Sequence, residues 1–297
     1  MPHATDEVKR CVEAQGAGND FLIADNRDGA VAEDGGVLTF LEAGVLRHIR
    51  IADICDRRYG VGADGLMLLE NYADHDFRMT YFNSDGSGGM MCGNGGRCIV
   101  AFAADMGISH FDFVAADGFH TAQILSDNMG VRTVRLRMKD VVDFRHYDEL
   151  SGVDVPSEGW FMDTGTRHYV RLVEDVDDYD IVSEGRDIRY HAKELQPVGV
   201  NVNFVEPYAD GIKVRTYEKG VEDETFACGT GIVASVLACY LSGAVEKMQK
   251  SSERIHCPVR AKKDELAVDF IVNERDTLIF SDVCLSGPAV RVAKIIC

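Results

Sequence analysis

The chain has 297 residues, with 31 Lys and Arg against 49 Asp and Glu, a formal charge of −18. An acidic total without a Lys/Arg-dense block excludes the counterion-releasing mode of nucleic-acid binding and disfavours anionic membrane surfaces. With 46% hydrophobic and 27% charged residues the composition is that of a folded chain, one large domain or two of ordinary size, and no stretch reaches the roughly 18 to 20 apolar residues of a membrane span.

Taken in order, the first ten residues lack the apolar core of a signal peptide, so the expected address is the cytosol. Apolar periodicity predicts a helix over 45–58, a strand over 77–82 and a helix after Cys92. A strand over 131–138 and a helix over 184–195 follow, then strands over 200–205 and 212–217. A further helix follows Cys228, and strands over 266–272 and 290–296 close the chain. The mixture is α+β and strand-rich. The acidic run 174–180 lacks the spacing, glycine and terminal Glu of a calcium loop and reads as a solvated loop.

An internal repeat organises these elements. Thr80-Tyr81 precedes Cys92 as Thr216-Tyr217 precedes Cys228, at a constant spacing of 136 residues, and the spacing persists through Gly93/Gly229, Gly95/Gly231 and Gly107/Gly243. Each half therefore holds a strand, a loop, Cys-Gly-x-Gly and a helix. Apolar residues at Ile99, Val100, Phe102 and Ala103, and at Ile232, Val233, Val236 and Leu237, supply the helical faces, and each glycine past the helix suits a left-handed C-terminal residue.

Each repeated cysteine thus stands at a helix N-terminus, where unpartnered amides and the positive end of the dipole favour anions and lower a thiol pKa. The adjoining glycines let a carboxylate approach those amides. Two such thiols in pseudo-symmetric halves suit inversion at carbon: one removes an α-proton from one face and the other protonates the opposite face. Amides of both helix ends would stabilise the charge that develops on the substrate carboxylate, so no electron-sink cofactor is required.

The bland readings weigh differently from site to site. Of nine cysteines, the seven other than Cys92 and Cys228 read as small buried hydrophobes, and with no CxxC pair a zinc site has little support. His168, alone after a Thr-Gly-Thr-Arg turn, and Asn19, after Gly18, could each be a structural turn residue. Two rival functions stay open: a racemase of another amino acid such as proline or hydroxyproline, and a metal-binding or redox protein that uses the paired cysteines.

Longer motifs narrow the choice. Asn83-Ser-Asp-Gly-Ser-Gly-Gly-Met-Met-Cys92-Gly-Asn-Gly-Gly-Arg97 fits the pattern NxDGSxxxxCGNGxR at every defined position. With Gly16-Ala-Gly-Asn-Asp-Phe21, Arg58-Tyr-Gly-Val-Gly-Ala-Asp-Gly65, Asn201-Val-Asn-Phe204 and the stretch from Tyr217 to Gly231, the chain resembles the diaminopimelate epimerase family. These are pyridoxal-independent enzymes of lysine and cell-wall precursor synthesis. The resemblance implies two pseudo-symmetric domains, each a mixed β-sheet wrapped around a central helix, with the active site between them. The boundary is expected near Gly118, giving 1–118 with a returning strand 288–297, and 119–287.

The same resemblance implies that Cys92 and Cys228 are the acid/base pair acting on LL- and meso-2,6-diaminopimelate. Gly93, Asn94, Gly229 and Thr230 would hold the α-carboxylate, and Asn19 and Glu218 the reacting ammonium end. Asn83, Asn201 and Lys219 would face the distal end, with His168 close to the thiols. Gly65 stands where many members carry Gln, Thr166-Arg167 replaces Asn-Pro, and Lys219 replaces an Arg, exchanging a two-pronged guanidinium for a point charge. The expected partner is a small amino acid, without metal, cofactor, nucleic acid or membrane, and the expected assembly is a homodimer.

Overall fold

The computed structural model describes residues 10–296 apart from 43, 90, 246, 247, 252, 275 and 276. The start of the chain read for a signal peptide, Met90 and Cys297 lie outside the described residues. The chain divides into two compact units: unit 1 runs to Leu136 and takes in Pro288 onward, and unit 2 is Arg137–Gly287.

In unit 1, β1 (Arg10–Gly16) and β2 (Asn19–Asp25) form a hairpin through Ala17 and Gly18, both at positive φ. A side sheet of β3 (Ala32–Asp34), β4 (Val37–Glu42) and β5 (Val45–Arg50) leads into the short helix α1 (Ile51–Ile54). β2 runs parallel to β6 (Gly65–Tyr72), which turns back as β7 (His75–Asn83). After α2 (Gly93–Asp105) come β8 (Asp112–Ala115), β9 (Gly118–Asn128) and β10 (Val131–Arg137). α2 packs against β1, β2, β6 and β9.

Unit 2 repeats the plan. The strands β11 (Phe144–Tyr147), β12 (Gly159–Asp163) and β13 (Arg167–Leu172) form an antiparallel meander, and α3 (Ile181–His191) is followed by a 3-10 turn at Lys193–Leu195. β13 runs parallel to β14 (Asn201–Tyr208), which turns back as β15 (Gly211–Glu218) and leads to β16 (Asp223–Thr225). After α4 (Gly229–Leu241) come β17 (Gln249–Ser251), β18 (Arg254–Arg260), β19 (Glu265–Asn273) and β20 (Ile279–Ile296). The first part of β20 pairs with β19, and the last part pairs with β1 of unit 1.

The 136-residue spacing extends well beyond the cysteine motifs: β6 and β14 start at Gly65 and Asn201, β7 and β15 at His75 and Gly211, and β9 and β18 at Gly118 and Arg254. α2 and α4 are both 13 residues long, with buried residues on every side. Such a helix is the core of its unit rather than a surface helix with one wet face. Both end in the same Schellman closure. Gly107 and Gly243 take left-handed φ, with Ile108 N on Ala103 O at 3.0 Å and Ala244 N on Cys239 O at 3.1 Å.

Two expectations are corrected. The helix over 45–58 is mostly the strand β5 followed by α1, because Val45 to Ile49 pair across a hairpin with β4. The division falls after Leu136 instead of near Gly118: β9 pairs with both β8 and β10, and Val134 and Leu136 are buried within unit 1. The strand-rich α+β class holds.

Candidate active site

The two helix ends are near-copies. Cys92 has φ −106° and ψ 120°, Cys228 has φ −107° and ψ 111°, and each is the N-cap of its helix. The first intrahelical bonds are Gly96 N to Cys92 O at 2.7 Å and Ile232 N to Cys228 O at 2.8 Å. The amides of Gly93, Asn94 and Gly95, and of Gly229, Thr230 and Gly231, precede those bonds and present the positive end of each helix. Among the described cysteines only Cys92 and Cys228 are partly exposed. Burial pushes the Cys55 thiol up to about 11 and those of Cys98 and Cys257 up to about 12, so these are inert packing groups.

In unit 1 a chain of polar side chains braces the helix start. The buried Arg97 guanidinium donates to Asn94 Oδ1 (2.9 Å) and to Gly93 O (3.3 Å), Asn94 Nδ2 donates to Asn19 Oδ1 (2.7 Å), and Asn19 Nδ2 donates to Asp64 Oδ2 (2.9 Å). Arg57 then bridges Asp64 and Asp20 at 2.8 and 2.6 Å. Burial alone would raise the Asp20 carboxyl, but the Arg57 guanidinium and the hydrogen bonds with Asp64 together outweigh it and hold the group below its usual range. The first turn of α2 is thereby tied to the starts of β2 and β6.

In unit 2 the bracing runs through a histidine. His168 is fully buried, with Nε2 at 2.9 Å from Thr166 Oγ1 and 3.0 Å from Thr230 Oγ1. Its Nδ1 lies 3.1 Å from Asn203 Nδ2. The two hydroxyls are 2.9 Å apart, Thr164 Oγ1 donates to Thr230 O at 3.0 Å, and Thr230 Oγ1 is 3.4 Å from Cys228 Sγ. Burial drives the His168 pKa down to about 3, so the ring is neutral at pH 7.

The remaining predicted residues take separate places. Asn201 accepts from Lys219 N at 2.9 Å and donates to Arg167 O at 3.3 Å, while Lys219 Nζ donates to Val198 O at 2.8 Å. Glu218 accepts from Thr225 Oγ1 at 2.8 Å, and Asn83 donates to Ser87 Oγ at 3.0 Å. Gly65 admits no side chain: a Cβ would sit 2.5 Å from both Phe82 O and the Tyr81 ring. Among the described residues no three His, Cys, Asp or Glu side chains converge as metal ligands would.

Sequence reading did not single out Arg57, Asp64, Arg97 or Asn203, although the last three lie inside quoted motifs. For Asn203 the signal was available. Strand alternation puts it on the same face as Asn201, two polar residues on one face of a strand whose neighbouring positions are the apolar Val202, Phe204 and Val205.

Solved structures with this fold include a Bacillus anthracis phenazine biosynthesis protein of the PhzF family (TM-score 0.65, 14% identity, covering 98% of this chain and 99% of that one). Another is a probable proline racemase from Agrobacterium radiobacter (TM-score 0.63, 15% identity, 97% and 92%). These likenesses show the fold, and the curated relatives, which are epimerases, define the class: the protein is an isomerase, an amino acid epimerase. The Diaminopimelate epimerase family profile matches residues 11–138 and 160–266. Proteins named diaminopimelate epimerase match nearly end to end in Chlorobaculum tepidum (41% identity, 94% of this chain and 97% of that one) and Flavobacterium psychrophilum (37%, 93% and 94%). The Aquifex aeolicus protein of that name is 42% identical over 78% of this chain and 82% of its own. The chain belongs to the diaminopimelate epimerase family.

Proposed function

We propose that the protein interconverts LL- and meso-2,6-diaminopimelate by proton transfer at the α-carbon, with Cys92 and Cys228 as the acid/base pair. The observation that carries this reading is the twinned helix end: an accessible thiol at the same N-cap geometry in each unit. A thiolate takes the α-proton from one face, and the other thiol delivers a proton to the opposite face. The carbanion's charge spreads onto the substrate carboxylate, where the amides of Gly93 and Asn94 and of Gly229 and Thr230 receive it. The reverse reaction exchanges the two protonation states, which a matched pair allows.

Asn19 and Glu218 serve the reacting ammonium end, and Asn83, Asn201 and Lys219 the distal end, of a substrate bound without metal or organic cofactor. The work is that of lysine and peptidoglycan precursor synthesis, in the cytosol. Among the described residues no helix is long and apolar enough to cross a membrane. The homodimer expected from the family resemblance is kept as part of this reading.

The test is incubation with LL-diaminopimelate in deuterated water without added cofactor, with proline and hydroxyproline as comparison substrates. The parent enzyme is expected to place deuterium at the α-carbon of diaminopimelate alone. Cys92→Ala and Cys228→Ala are each expected to lose epimerisation by at least about a thousandfold, the scale of removing a group that acts in the transition state. Near-parent turnover in either variant would overturn the two-thiol assignment.

A further inference from the structure

The two half-sites share a frame but differ behind it. The spacing that equates Cys92 with Cys228 also equates Asn94 with Thr230, Gly95 with Gly231 and Met67 with Asn203. The parallel pairings of Phe21 with Gly65 and of His168 with Asn201 equate Phe21 with His168, and Asn19 with Thr166. One hydrogen bond is kept in both units: Asn94 to Asn19 at 2.7 Å, and Thr230 with Thr166 at 2.9 Å. Beneath it, unit 1 places the apolar Phe21 and Met67, whereas unit 2 places the fully buried His168 and Asn203.

We propose that Asn203 is a positioning residue for Cys228. Together with Thr216 it holds His168 as the imidazole that carries its proton on Nε2, and so directs the Thr230 hydroxyl proton at the sulfur. The proposal rests on the reading of Cys228 as an acid/base group.

The orientation of the Asn203 amide follows from its neighbours. Tyr169 O can only accept, and it lies 3.3 Å from Asn203 Nδ2, while Thr216 Oγ1 donates to Asn203 Oδ1 at 2.9 Å. The atom facing His168 Nδ1 at 3.1 Å is therefore an N–H donor, which requires Nδ1 to be the unprotonated nitrogen. The imidazole proton then sits on Nε2, aimed at the two threonine hydroxyls. Thr230 Oγ1 then accepts from the ring, 2.9 Å from the Thr166 hydroxyl, and in the proposed arrangement turns its own proton to Cys228 Sγ at 3.4 Å. A hydroxyl donor stabilises thiolate over thiol. Phe21 and Met67 can supply no such array behind Cys92, so the paired thiols are held in chemically unlike surroundings.

Two measurements test this without substrate. In nitrogen-15 spectra of the full-length protein, with His168→Gln as the assignment control, His168 is expected as the neutral Nε2–H tautomer; a proton found on Nδ1 would overturn the proposal. In Asn203→Leu/Thr216→Val, which removes the array without stranding a hydroxyl, alkylation of Cys228 by iodoacetamide at pH 7 is expected to slow by about tenfold or more relative to Cys92, the scale of one hydrogen bond to a charged group. An unchanged ratio of the two rates would also overturn it. With diaminopimelate the same variant is expected to lose kcat about tenfold with KM within about twofold, because Asn203 and Thr216 are not among the groups that hold substrate. If the alkylation ratio moves while the parent enzyme fails to epimerise diaminopimelate, the substrate assignment falls and the positioning role stands.

Discussion

At the scale of single residues, His168 links the chemistry to acid stability. Its folded pKa of about 3 lies far below the ordinary value near 6.5, because burial penalises the imidazolium. Between those values the unfolded chain binds a proton that the folded chain refuses. Stability from this group is therefore complete above pH 6.5 and drains away as pH falls toward 3, with a slope approaching about 1.4 kcal/mol per pH unit. Carboxylates held low, such as Asp20 beside Arg57, act in the same direction but only at lower pH. Urea unfolding of the parent and of His168→Gln between pH 7 and 4.5 isolates the histidine. The parent is expected to lose stability more steeply, and parallel curves would mean that the ring is protonated in the folded state.

At the scale of elements, the matched helices give a matched pair of substitutions with unequal outcomes. A Cβ on Gly95 would approach Met67 Sδ at 3.2 Å, the movable end of a flexible side chain. A Cβ on Gly231 would come within 2.4 Å of Asn203 Oδ1 and 3.2 Å of His168 Cε1, both fixed by buried hydrogen bonds. Gly95→Ala is expected to lie within about 1 kcal/mol of the parent, since alanine's helix propensity offsets the small repacking. Gly231→Ala is expected to cost about 2 to 3 kcal/mol and to slow alkylation of Cys228 but not of Cys92. Thermal denaturation with differential alkylation of both variants checks this, and equal costs would refute the claimed difference between the two interiors. These helices were legible in the sequence because their signals are local: a cysteine and glycines at the start, apolar faces, a left-handed glycine at the end. Many strands were not: β3, β11 and β16 are short, β5 reads as a helix, and even the longer β1, β2, β6, β9 and β18 went unread, because a strand is fixed by its partners and packing rather than by its own residues. Asp64 and Arg97 escaped for a similar reason, since an ion-pair and hydrogen-bond relay from β2 to α2 joins residues 75 positions apart that no spacing rule connects.

At the scale of the whole molecule, the end of the chain belongs with its beginning. Residues from Val290 to Ile296 pair antiparallel with β1, from Gln15 back to Arg10, and Pro288 O accepts from Arg97 Nε at 3.4 Å. Ala289 is buried, and Arg291 reaches Asp105 at the end of α2 at 2.9 Å. The last segment therefore supports the sheet beneath Cys92 and the guanidinium that braces its helix, while β19 and the rest of unit 2 use only the part of β20 before it. A chain ended after Gly287 would leave β1 as an open edge, with unpaired backbone groups on the side that β20 had covered. Hydrogen exchange of that truncated chain is expected to show lost protection in β1 and α2 and retained protection in β14, β15 and α4. Iodoacetamide is expected to modify Cys92 faster than in the parent, with the Cys228 rate unchanged. Parent-like protection of β1 and α2 after truncation would mean that unit 1 folds without its returning strand, and that the division of the chain into these two units is wrong at its C-terminal end.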